Sequence, residues 1–249
     1  MIRILQSWGV PVMMAFVYSV LMWSSETDNT GKAWMAIGLA MVLVVWWLFR
    51  TLTAGAALSR AVAVGDTTRT LELVAAQLAS KKQPAARATL LVMRARALEL
   101  RGDWAGVLTA LDEAALAKLP HKQRTSWRIL ATSARIGACI EAGTIAEARR
   151  LLDAELTPAA ATLDRRIHRG SLLHVSLAAG RIAAAEGRTA DAVPLLQAVL
   201  DEVLAGGAER ALAHFYLARL APEPAAAASH RAEIAKLIPD ETAWIRTGR

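Results

Sequence analysis

Three observations predict an all-α protein. The composition is rich in Ala, Leu and Arg and poor in phenyl rings, with 3 Phe and 2 Tyr among 249 residues, a mixture that favours helices packed closely through small side chains. Beyond residue 53, apolar residues recur at helical spacing on both sides of short glycine junctions. Before that point, two apolar stretches, Ile4 to Trp23 and Trp34 to Leu48, flank the polar or small segment Ser24 to Ala33. The expected organisation is a transmembrane helical hairpin over residues 1–52, an α-solenoid of about four to five helix pairs over residues 53–239, and a C-terminal tail over residues 240–249.

The first stretch would rise about 30 Å as a helix, the thickness of a bilayer's hydrocarbon core. The second reaches spanning length when Ala33 and the segment Phe49 to Leu52 join it, with Arg50 snorkelling toward head groups. Trp23 and Trp34 face each other across the loop, and Trp46 and Trp47 mark the other end, as expected of rings at two interfaces. Arg3 precedes the hairpin and Arg50, Arg60 and Arg69 follow it, so both termini and the solenoid are expected in the cytoplasm, at a bacterial inner membrane. A cleaved signal peptide ending near Ser24 is the competing reading. It is disfavoured because the apolar run exceeds an ordinary h-region and no A-x-A site follows it.

Four junctions punctuate the remainder: Gly65-Asp66, Gly102-Asp103, Gly143-Thr144 and Gly187-Arg188-Thr189. Glycine takes the left-handed conformation just past a helix end, and Asp or Thr accepts the orphan amides that open the next helix. Thr144 with Glu147 reads as a capping box. The stripes Trp104, Val107, Leu111, Ala114, then Ile145, Ala148, Leu152, then Ala192, Leu196, Val199 read as core faces, which only stacking of neighbouring pairs can bury. Longer helices are expected over Arg124 to Ala142 and Asp164 to Glu186. A last pair, Glu209 to Leu220 and Ala225 to Leu237, flanks Pro222 and Pro224, and Trp244 and Ile245 of the tail are expected to fold back onto it. The single Cys139, among Ile136, Ala138 and Ile140, reads as a small buried hydrophobe.

Ala95, Leu98, Gly102-Asp103-Trp104, Val107, Leu111, Ala114 and Pro120 follow the order of small, bulky, glycine, aromatic and closing proline positions of the tetratricopeptide repeat (TPR) family, which the segment resembles. Ala192-Val193-Pro194-Leu195-Leu196 is similar to a variant of that family's second helix. The intervals between glycines 65, 102, 143 and 187 exceed the family's repeat of about 34 residues. The resemblance implies a concave groove lined by the first helix of each pair, and alignment on the glycines puts Val92, Arg96, Glu99, His174, Leu177 and Arg181 on it. Two uses of Arg96 and Arg181 stand open: gripping an acidic segment through charge-assisted bonds, or pairing with glutamates such as Glu99 and Glu186. The layout is also similar to the two-span, repeat-bearing inner-membrane proteins of proteobacteria linked to haem biosynthesis, in architecture only.

No glycine-rich phosphate loop, metal-ligand spacing or nucleophile elbow is written in the chain, so no catalytic residue, cofactor or metal is expected. Asp164 and His168 lie one turn apart with no nucleophile nearby in sequence. The net charge of +7 comes almost entirely from residue 50 onward, yet acidic residues are mixed through the same helices and aromatic interleaving is missing, which argues against nucleic acid. An anionic leaflet next to a tethered basic domain is a simpler use of the charge. The expected partners are the bilayer, through residues 4–52, and other membrane-associated proteins. The expected role is a scaffold or adaptor, with a constitutive structural subunit of a membrane complex as the alternative.

Overall fold

A computed structural model describes residues 55–114, 116–119, 121–241 and 243–247, together with Gly38, Ala40, Met41, Leu43 and Val44. The chain divides into two units, Met1–Ala57 and Leu58–Arg249. In the first unit the five isolated residues are helical and exposed. Among the described residues no helix is long and apolar enough to cross a membrane. The spans expected over Ile4–Trp23 and Trp34–Leu48 lie, apart from those five residues, outside the described part.

The described residues from 55 onward contain helices and no strand. In chain order the helices are α1 (55–63), α2 (Thr67–Ser80), α3 (Pro84–Arg101), α4 (Trp104–Glu113), α5 (His121–Glu141), α6 (Ile145–Leu151), α7 (Thr157–Ala161), α8 (Arg169–Ala185), α9 (Thr189–Asp201), α10 (Gly207–Leu220), α11 (Pro224–Leu237) and α12 (Trp244–Thr247). A single π-turn over Leu152–Leu156 joins α6 to α7. Helices α3 and α4, α8 and α9, and α10 and α11 pack as pairs. The first members also pack on one another in succession, α3 on α5, α5 on α8 and α8 on α10.

All four expected glycines take positive φ, between 64° and 75°. At each, two amides close back on the preceding helix, as in Gly102 N–H to the Glu99 carbonyl at 3.1 Å and Asp103 N–H to the Leu98 carbonyl at 3.0 Å, a Schellman motif. Asp66 and Asp103 then accept from the Arg69 and Gly106 amides, each at 2.9 Å, and open the next helix. The Thr144 junction departs from expectation. Its hydroxyl donates backward to the Cys139 carbonyl at 2.9 Å, and the Glu147 carboxylate is taken by the Arg150 guanidinium at 2.6 and 2.7 Å, so no capping box forms. A bidentate charged partner on the same turn outcompetes the neutral N-cap amide.

The stripes read from the sequence are core faces: Val107, Leu111 and Ala114, Ala148 and Leu152, and Ala192, Leu196 and Val199 are buried, while Trp104 and Ile145 are half-buried. Cys139 is half-buried too, between the buried Ala138 and Ile140. Helix α5 begins earlier than expected, and α8 later: residues 164–168 form turns in which the Arg166 amide donates to the Asp164 carboxylate at 2.7 Å.

The C-terminal segment returns to the first helices of the second unit. Trp244 and Ile245 are buried, as their apolar character required, and α12 packs on both α3 and α11. The Trp104 and Trp244 rings meet edge to face with centroids 5.0 Å apart. A Cβ at Gly102 would fall 2.7 Å from Trp244 Cβ, and one at Gly65 would fall 2.2 Å from Ile238 Cδ1, so two of the left-handed turns are also sites of closest approach to the C-terminal segment. The Thr67 hydroxyl donates to the Asp240 carboxylate and completes this seam.

Candidate functional site

Helix α3 sits against α5, against α12 and, through its charges, against α8 and α10, so its inward face is covered. The six residues expected to line an open groove all lie on that covered face or opposite it. Val92 and Leu177 are fully buried in the core, and Glu99 and Arg181 have no exposed surface. Arg96 and His174 keep 5% and 8% exposure. They do not present themselves to a partner, because the last helices close over the face that a more open stack would leave free.

Three of these polar side chains, Arg96, Glu99 and Arg181, meet one another. Glu99 accepts from Arg96, three residues back on α3, with one oxygen, and from Arg181 Nη1 of α8 with the other at 2.5 Å. Arg96 Nη2 reaches Glu209 Oε1 of α10 at 2.9 Å. The two arginines thus pair with glutamates, though Arg181 takes Glu99 where Glu186 was a candidate; Glu186 pairs with Arg149 and Arg188 at the surface. The Arg181 guanidinium also lies 5.2 Å over the Tyr216 ring, whose hydroxyl donates to Glu141 at 2.8 Å. Nε and Nη2 of Arg181 have no hydrogen-bond partner. Its room comes from Gly137 of α5, where a Cβ would stand 2.2 Å from Arg181 Nη2.

Burial opposes the charges here, and pairing outweighs it. Desolvation lowers the Arg96 pKa, but Glu99 and Glu209 raise it further, so Arg96 is held charged. Desolvation likewise works against Arg181, which Tyr216 and Glu99 keep protonated. Burial would raise Glu209; Arg96 and His174 hold it below the usual carboxylate range. Burial pushes the Tyr216 hydroxyl up to about 12 against the pull of Arg181. His174 is lowered to about 4, mainly by burial, with Arg96 adding to the shift and Glu209 opposing it. At neutral pH the His174 imidazole beside these ion pairs is therefore neutral.

Beside this cluster is a cavity of about 120 Å³. Met93, Leu100, Trp127 and Leu130 supply apolar wall, and Thr67, Thr70, Arg96, His174 and Glu209 its charged or polar residues. A second, larger space of about 770 Å³ lies at an edge, lined by residues of α7, α8 and α9. Arg165, Arg169 and Glu202 line it, and Arg169 pairs with Glu202 at 3.0 Å. Ile167, Val203 and Leu204, in the adjoining turns, are 74%, 81% and 59% exposed.

Among the described residues no group of His, Cys, Asp and Glu could hold a metal ion. Asp164 and His168 form a turn through their backbones, His168 N–H to the Asp164 carbonyl at 2.9 Å, and do not make a side-chain dyad. Sequence reading missed Glu209, Tyr216 and Gly137. Gly137 carried a signal, since a glycine inside an apolar helix costs about 1 kcal/mol and marks a close approach by something large. The fold and this site define a class: an all-helical protein of paired helices whose inner face is closed by buried ion pairs. No family model, curated protein or solved structure matches the chain.

Proposed function

We propose that the protein is a membrane-anchored, TPR-like scaffold that binds or organises partner proteins at the cytoplasmic face of a bacterial inner membrane, held there by the apolar segment of residues 4–52. Helix pairs joined at left-handed glycines and stacked through their first members support the repeat part of this reading. The observation that carries the partner-binding part is the edge cleft formed by α7, α8 and α9. Three large apolar side chains stand in water there beside Arg165, Arg166 and Arg169. Exposed apolar residues clustered with arginines are the composition of protein contact surfaces. The partner would be met at this edge, since the inner face is occupied by the protein's own ion pairs.

The test is in-cell crosslinking, purification in mild detergent and mass spectrometry of the bound proteins for the wild type and an Ile167→Glu, Val203→Glu variant. Both positions are exposed, so the variant keeps its fold, which its helical melting curve checks. A partner lost from the variant alone supports a recruiting scaffold and identifies its client. Partners retained at fixed ratio by both would replace the scaffold reading with that of a constitutive subunit. For the anchor, cysteines at Ser24 and Asn29 should label from outside intact cells and Ser229→Cys should not; labelling at 229 would overturn the topology.

A further inference from the structure

We propose that the cavity between the first and last helix pairs is a binding site for a small, neutral, mainly apolar molecule of about phenol size, whose single hydroxyl or N–H group hydrogen-bonds to the His174 imidazole on its wall. The inference goes beyond the scaffold reading and does not depend on it.

Size sets the first limit. An apolar cavity of about 150 Å³ takes up benzene, so about 120 Å³ accommodates one six-membered ring or a short aliphatic chain. The wall sets the second. Along Met93, Leu100 and Leu130 the side chains offer no hydrogen-bonding group, and a water there would lack the two to four partners it needs. An apolar body gains where water does not.

The polar residues then choose the head group. Arg96 is bonded to both Glu99 and Glu209, so a carboxylate or phosphate would have to break a buried ion pair to reach it, and a cation would have to do the same at Glu209. Charged ligands are thereby excluded. His174 is different, because it lines the cavity and its Nδ1 has no hydrogen-bond partner, so no neighbour fixes the tautomer and the imidazole is left to accept from a ligand hydroxyl or N–H. The ring is neutral at pH 7, as burial holds its pKa near 4, and a neutral imidazole nitrogen can accept such a bond.

The position of the cavity gives occupancy a consequence. Its lining comes from Gly65, Thr67 and Thr70 at the start of the helical unit and from Ala208 and Glu209 near its end. A ligand there touches both sides of the seam, and anything that binds the closed form and not the open one stabilises closure by mass action.

The experiment uses the full chain in mild detergent and fluorine NMR of three probes of matched size: 4-fluorophenol, 4-fluorotoluene and 4-fluorobenzoate, each referenced to protein-free micelles. We expect saturable broadening with 4-fluorophenol, affinity at least about tenfold weaker for 4-fluorotoluene, and none for the benzoate. Ala97→Leu, which fills the space, should abolish phenol binding, and His174→Leu should make phenol and toluene equal. A phenol signal no different from micelles alone would overturn the proposal. Equal affinity for phenol and toluene in the wild type, or undiminished phenol binding in a folded Ala97→Leu variant, would do so as well. The three-probe ranking on the wild type decides the matter even where a variant fails to fold.

Discussion

Replacing Glu99 by Gln tests the buried ion-pair cluster most directly. Glu99 has no exposed surface and is the carboxylate shared by Arg96 and Arg181. In the variant Arg96 keeps Glu209, but Arg181 loses its only carboxylate, with Nε and Nη2 already unpartnered and only the Tyr216 ring left beside it. Removing one member of a buried pair costs about 3–5 kcal/mol, because the other charge stays in the interior uncompensated. Set against a folding stability of about 5–15 kcal/mol, that is a large fraction. With about 2–4 °C per kcal/mol for a helical unit of this length, the melting temperature should fall by about 6–20 °C. Circular dichroism at 222 nm on the full chain in mild detergent reads it. Adding Arg181→Met restores charge balance and should recover half or more of the loss. Melting of Glu99→Gln within about 2 °C of wild type would refute the reasoning.

Acid should weaken the fold from pH 6.5 downward, earlier than carboxylate titration alone would bring. His174 has a folded pKa near 4 against 6.5 unfolded, so between these values the unfolded chain holds the extra proton and stability falls as pH falls, by about 3 kcal/mol in all. Half-buried His214, depressed by burial and by its neighbour His230, acts in the same direction, and Glu209, also depressed, adds its loss at lower pH. Urea titrations at pH 7, 5.5 and 4.5 should show a slope that His174→Gln reduces; an unchanged slope would remove His174 from the account. Gly137→Ala ought to gain about 1 kcal/mol of helix propensity but should instead lose about 1–3 kcal/mol, since its Cβ would meet a guanidinium that is fully buried. A rise in melting temperature for that variant would contradict the packing. Trp244→Ala removes the rings' contact with Trp104 and Phe215 across the seam and should cost about 3–5 kcal/mol, read by the same melts. A loss below 1 kcal/mol would mean that the tail does not help to hold the seam.

What was legible in the sequence was local. A glycine after an apolar run signals a helix end whatever the chain does later, and all four such positions are left-handed turns. Asp66 and Asp103 cap for the same reason, their acceptors being three residues from the amides they satisfy. Where a local signal had a competitor, reading failed: Glu147 found Arg150, and Asp164 made a turn and delayed α8. Alignment on the glycines put Arg96, Glu99, His174 and Arg181 on one expected surface, yet it carried no information on what lay opposite. The partners that cover them, Glu209 and Tyr216, come from the last helix pair, and Arg96 to Glu209 spans 113 residues of chain. Such pairings have no periodic signature. Trp244 and Ile245 were the one hint of closure, two apolar residues in a tail with nowhere else to be buried.

Closure changes what the basic inner face can do. Arg96 and Arg181 are balanced by Glu99 and Glu209, so the cluster projects no net charge toward an acidic segment despite the +7 of the whole chain. An acidic partner entering from solvent would have to displace Glu99 from two guanidiniums at once and then repeat its hydrogen bonds, an exchange with little to gain. The surplus positive charge is instead carried by surface residues such as Arg165 and Arg166, next to apolar groups that no helix of the unit covers. On the proposed scaffold reading partners are met at the edge, while the inner face holds the first and last helix pairs together and borders the cavity beside His174.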